Sequence, residues 1–172
     1  MGQVIGTFVG LITAFAIAFA ILTFGGIMPE DLISASIVSD FLAWTDLEMR
    51  LAVVGTVLYP ETLEFTGLGT ILGTGGRGAT VLMALAWGTG GLVAGLISKD
   101  ILSGILAALF SVVTGAFLTW ILVFVIQPDV DFVALFGAAS MILLESVLYG
   151  SLYPAIAAVI GGILGGGITR ER

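Results

Sequence analysis

The chain has 172 residues, 59% of them hydrophobic and only 10% charged, whereas a water-soluble domain carries about 25% charged residues. A mean hydropathy of +1.21 and a formal charge of -7 exclude a soluble globular surface, and no basic patch is present to meet the phosphates of a nucleic acid. Histidine and cysteine are both absent, which removes the commonest ligands of zinc, copper, haem and iron–sulfur centres, and with them thiol catalysis and Ser-His triads. No cofactor and no metal site are expected.

A membrane span takes about 20 predominantly apolar residues, and the first such run extends from Val4 to Met28. Met1-Gly2-Gln3 contains no Lys or Arg, so the run reads as a retained span and not as a signal peptide, which needs a basic n-region. Gly6 stands where an N-myristoylation motif requires Ser or Thr.

The segment from Glu30 to Arg77 holds most of the acids. Within it, the stretch from about Ser39 to Leu58 mixes Phe41, Leu42, Trp44, Leu47, Met49 and Leu51 with Asp46, Glu48 and Arg50. It is too polar to span and too apolar to float free, so a helix lying in the membrane interface is expected, with Asp46 and Arg50 paired at i, i+4 and with Trp44 and Tyr59 at headgroup depth. The glycine-rich run from Thr66 to Thr80 lacks the Lys of a Walker A loop and reads as a flexible connection.

The second and third spans, Ala79 to Ser98 and Ile101 to Gln127, are separated only by Lys99 and Asp100. They must form a tight antiparallel hairpin, with Asp100 as N-cap of the third. The stretch from Asp131 to Tyr149 is expected to run in the interface or to dip as a re-entrant segment. It carries Glu145, an acid that is a candidate functional residue if it reaches membrane depth and a solvated boundary carboxylate if it does not. That stretch is followed by Gly150 and Pro154, and a fourth span runs from about Leu152 to Ile168.

Lys99, Arg170 and Arg172 fall on one side of this arrangement together with the N-terminus, against Arg50 and Arg77 on the other. By the positive-inside rule both termini are expected on the cytoplasmic side of the plasma (cytoplasmic) membrane.

Short echoes recur in the same order along the chain. Met28-Pro29-Glu30-Asp31 corresponds to Gln127-Pro128-Asp129, Asp40-Phe41-Leu42-Ala43 to Asp131-Phe132-Val133-Ala134, and Val57-Leu58-Tyr59 to Val147-Leu148-Tyr149. The segment from Gly90 to Lys99 corresponds to that from Gly161 to Arg170. They predict an internal duplication, span-helix-span twice. Residues 1–100 would form the first repeat with a long extracytoplasmic insert at about 29–78, residues 101–172 the second, and the two together one membrane domain. The expected fold class is thus an all-α integral membrane protein of four transmembrane helices, with interfacial or re-entrant extracytoplasmic helices.

Glycine punctuates every span at helical spacing: Gly6 and Gly10, Gly91 and Gly95, Gly104 and Gly115, Gly161 and Gly165, Gly162 and Gly166. Apolar side chains gain little by leaving lipid for one another, so close helix association depends on small residues of this kind. The five glycines from Gly161 to Gly167 occupy more than one face of the last span, a surplus that points to other membrane subunits or a homo-oligomer as partners besides the bilayer. An enzyme is not expected, because no acid pairs with a base or a metal site. The spans offer only hydroxyls such as Thr13, Thr23, Ser111, Thr114 and Thr119. The expected function is a non-catalytic membrane subunit, structural or accessory, with a small channel or transporter acting as an oligomer as the alternative.

Overall fold

The structure, a computed structural model, describes residues 2–25, 35–43, 45–60, 77–126 and 140–169, and every regular element among them is a helix. In chain order these are α1 (Gly2–Thr23), α2 (Ala35–Ala43), α3 (Leu47–Leu58), α4 (Arg77–Ser98), α5 (Ile101–Ile126) and α6 (Ser140–Thr169). Hydrocarbon offers no partner for a backbone N–H or C=O, so uninterrupted apolar runs satisfy themselves as helices. Four helices contain a window long and apolar enough to cross a membrane: Gly2–Thr23, Val81–Ser98, Ile101–Leu122 and Leu152–Thr169. The protein is an all-helical integral membrane protein with four candidate spans.

Two of the expected boundaries move. The first span ends at Thr23, short of Met28, which lies outside the described residues. The last span is not a separate helix beginning near Leu152: α6 runs unbroken for 30 residues from Ser140 to Thr169, with Pro154 inside it. Proline removes one backbone donor and would break a helix in water, but a bundle tolerates it because neighbouring helices hold the segment in place. At about 1.5 Å per residue α6 is about 45 Å long, more than the roughly 30 Å of a hydrocarbon core. The 131–149 segment therefore divides: 131–139 lies outside the described residues, and Ser140 onward is the first part of α6.

Register follows from the glycines. A Cβ at Gly6 would lie 2.8 Å from the Ala94 carbonyl oxygen and one at Gly10 2.8 Å from that of Gly90, which sets α1 antiparallel to α4. A Cβ at Gly104 would lie 2.8 Å from the Gly162 oxygen and one at Gly166 2.8 Å from the Asp100 oxygen, so α5 and α6 are antiparallel as well. α1 packs on α4 and α5, and α6 packs on the same two helices, so that α1 and α6 flank the α4–α5 hairpin. The start of α1, the α4–α5 turn and the end of α6 share one end of the bundle.

That turn is built as the sequence implies. Asp100 Oδ2 accepts the Ser103 backbone N–H at 3.0 Å, an N-cap for α5. Lys99 closes α4 with φ 58°, a left-handed conformation, and its N–H reaches the Gly95 oxygen at 3.1 Å.

The expected interfacial helix is two helices, α2 and α3, and the second half of α3 is buried against the bundle. Leu47 is exposed, whereas Val53, Val54, Val57, Leu58 and Tyr59 are buried; α3 packs against α1, α4 and α5. Arg50 donates to the Leu42 oxygen at 3.3 Å and its guanidinium sits 5.5 Å from the centre of the Phe41 ring. The cation thus joins α3 to α2 in place of the expected pair with Asp46, whose side chain is exposed. Phe41 in turn meets Phe19 of α1 edge to face at 5.3 Å, docking α2 on the first span.

Candidate functional site

The place where α3 ends inside the bundle concentrates the polar side-chain contacts that link distant parts of the chain. Tyr59 is 1% exposed, and its hydroxyl donates to the Val112 carbonyl oxygen at 2.7 Å. Trp87 is fully buried, and its indole N–H donates to the Leu58 oxygen at 3.1 Å. The two rings lie 5.5 Å apart at 59°.

Each bond has a local cause. The last carbonyls of a helix lack intrahelical partners, and a helix that ends among apolar side chains must find donors for them. Tyr59 N–H closes on the Gly55 oxygen at 2.9 Å, and the Trp87 indole supplies the donor for Leu58. Gly115 makes room for the junction: a Cβ there would meet Tyr59 Oη at 2.5 Å, Leu11 Cδ1 at 2.9 Å and Trp87 Cη2 at 3.1 Å. Leu11, Trp87 and Val112 each sit near the middle of their helices, so Tyr59 meets the bundle at mid-length. Trp44, the other expected interfacial aromatic, lies outside the described residues.

All ten glycines singled out for helix packing are buried and face a neighbour. Gly6 and Gly10 meet α4; Gly91 faces Ala158 and Gly95 faces Gly162 and Gly166; Gly104 faces Gly162; Gly161 faces Gly88 and Leu92; Gly165 faces Leu92 and Leu96. Gly162 and Gly166 turn to the other side, toward Gly104 and Ala108 and toward Asp100 and Ile101. Both glycine faces of α6 are therefore filled within the chain, one by α4 and one by α5, and the surplus expected to seek a partner reduces to Gly167, with nothing within 4 Å.

Four of the five hydroxyls singled out in the spans are equally committed. Thr13, Thr23, Ser111 and Thr119 donate to the carbonyls of Val9, Phe19, Ala107 and Gly115 at 2.7, 2.8, 2.8 and 2.9 Å, the four-residue back-bond usual for Ser and Thr in helices. Ser111 Oγ also lies 2.6 Å from the Thr7 oxygen of α1, sharing its proton between the two helices. Among the described residues no group of three acidic or other metal-ligating side chains comes together. Glu145 falls on the first turns of α6, its side chain outside the described set.

Two grooves mark the outer, lipid-facing surface. One, of about 540 Å³, runs between α4 and α6 past Leu85, Thr89, Tyr153 and Ile160; the other, of about 490 Å³, runs between α1 and α5 past Ile12, Phe15, Leu51 and Leu118.

Sequence reasoning missed Tyr59, Trp87 and Gly55 as a group. The available signal was Trp87, an indole N–H in mid-span that needs an acceptor once buried. Comparison of the chain with protein-family models, characterised proteins and solved structures gave no match.

Proposed function

We propose that the protein is a non-catalytic integral membrane subunit, structural or accessory, whose interior holds its own helices together and whose apolar outer faces meet other membrane proteins. The observation that carries this is the state of the interior. The Ser111 and Thr119 hydroxyls, the Tyr59 phenol and the Trp87 indole each bond to a backbone carbonyl, which leaves these groups to position helices and not to bind or transform a solute. Contact with partners then falls to the two outer grooves and not to the glycine seams. In this proposal the bundle end with Lys99 and both termini is cytoplasmic, and the halves 1–100 and 101–172 descend from one duplicated unit. Antiparallel packing through small residues within each half supports the duplication. The second half differs in that Val147-Leu148-Tyr149 continues into the span, while Val57-Leu58-Tyr59 closes a separate helix.

Photo-crosslinking amino acids at Ile12 and Ile160, which are 64% and 56% exposed, test the proposal in native membranes. Protein adducts of defined mass are expected, and adducts to lipid alone at both positions would refute it.

A channel or transporter is favoured by a different observation: α3 ends at mid-bundle, and helices that stop at mid-depth are a building device of transporters. Solute flux into liposomes that is lost on Thr114 or Glu145 substitution would move the assignment to that class.

A further inference from the structure

The three spans around α3 are not equally close along their length. At the end that holds the α4–α5 turn they meet backbone to backbone: Cβ atoms at Gly2 and Gly6 would lie 3.1 and 2.8 Å from the Ile97 and Ala94 oxygens, and the close approach continues toward mid-length, where Ser111 bridges α5 to α1. None of these contacts involves α3. Toward the other end α3 takes the space between α1, α4 and α5, from Gly55 against Thr119 down to Tyr59 against Gly115. Remove α3 and a blind vestibule is left, half as deep as the spans are long, walled by Thr119 and floored by Gly115, Leu11 and Trp87. A 12-residue helix is too short to be stable on its own in water, so it depends on this seat, while the tight end does not depend on it.

We infer that α3 is a plug separable from the bundle it closes, and that Tyr59 is its latch, a positioning residue that holds the plug through Val112. The inference rests on neither functional reading above, because the glycine-packed end keeps the vestibule blind whether or not the plug is seated. Backbone at membrane depth is tolerated only where protein or a water-filled cavity surrounds it, and α3 in its seat meets the first condition.

The natural absence of cysteine makes the test direct, since each introduced thiol reports alone. Thr119→Cys reports on the vestibule and Ala107→Cys, fully buried in the parent chain, on the tight end; both are exposed to a membrane-impermeant maleimide in sealed proteoliposomes of mixed orientation. With Tyr59 present, both thiols are protected. Tyr59→Phe raises the labelling rate at Thr119→Cys by about two- to ten-fold, the factor that one hydrogen bond of ordinary net strength supplies, and leaves Ala107→Cys protected. Trp87→Phe, which removes the donor to Leu58, acts in the same direction. Three results would each overturn the inference: Thr119→Cys already reactive in the parent, Thr119→Cys still protected when both Tyr59→Phe and Trp87→Phe are present, or both thiols opening together because the bundle loosens as one body.

Discussion

A methyl group added at Gly115 has nowhere to go, because Tyr59, Leu11 and Trp87 already converge on that point at 2.5 to 3.1 Å. Gly115→Ala is therefore expected to destabilise the bundle by about 1–3 kcal/mol, the usual range for overpacking, in an unfolding titration carried out in detergent micelles. Gly167→Ala, with open space around its Cβ, is expected to leave the midpoint unchanged or raise it slightly, as replacing glycine in a helix does. Gly161→Ala should exceed both, because its Cβ would fall on the Gly88 backbone and no rotamer change can move a carbonyl aside. The glycine positions were legible from spacing alone, since close approach needs small residues wherever the partner comes from. Tyr59 was not legible. Beside Pro60 and an acidic stretch it looks like a headgroup residue, and the carbonyl that fixes it is 53 residues away.

At the scale of elements, the α4–α5 turn is the junction where local sequence and observed geometry agree most closely, and also where the chain is strained. Lys99 holds φ 58°, a conformation that costs a residue with a Cβ about 1–2 kcal/mol. Lys99→Gly is expected to stabilise the folded protein by about 0.5–1 kcal/mol, the gain being reduced by the greater freedom of glycine in the unfolded chain; Lys99→Val is expected to destabilise it. Asp100→Ala removes the acceptor for Ser103 and is expected to cost about 1 kcal/mol. Thermal unfolding of the three variants in one detergent orders them. The departures from expectation lie in the longer elements. Pro154 and Gly150 signal a helix end in water, but within a bundle the same residues sit inside α6. The 39–58 segment has the composition of a surface helix only when averaged. Its charges gather in the first half, whereas the stretch from Leu51 to Leu58 carries none, and most of the residues the bundle buries lie there.

For the molecule as a whole, apolar length and glycine spacing made four candidate spans and the α4–α5 hairpin readable, because both follow from local rules. Which glycine meets which helix did not follow. The last span carries two small-residue faces, and only the three-dimensional arrangement decides that α4 and α5 fill them and leave no glycine seam for a neighbour. What remains outside is broad and apolar, with Phe8, Ile12, Phe110, Phe117, Ile156 and Ile160 all more than two-fifths exposed. A bilayer alone satisfies such a surface, and so do other membrane proteins. The measurement that separates these is the native mass of the particle released from its own membrane by a mild detergent or lipid-retaining polymer, set against the 17.7 kDa of one chain. A subunit role predicts a mass above a single chain, in fixed stoichiometry with an identifiable partner or further copies. A particle of one chain and lipid, from every extraction tried, would contradict it.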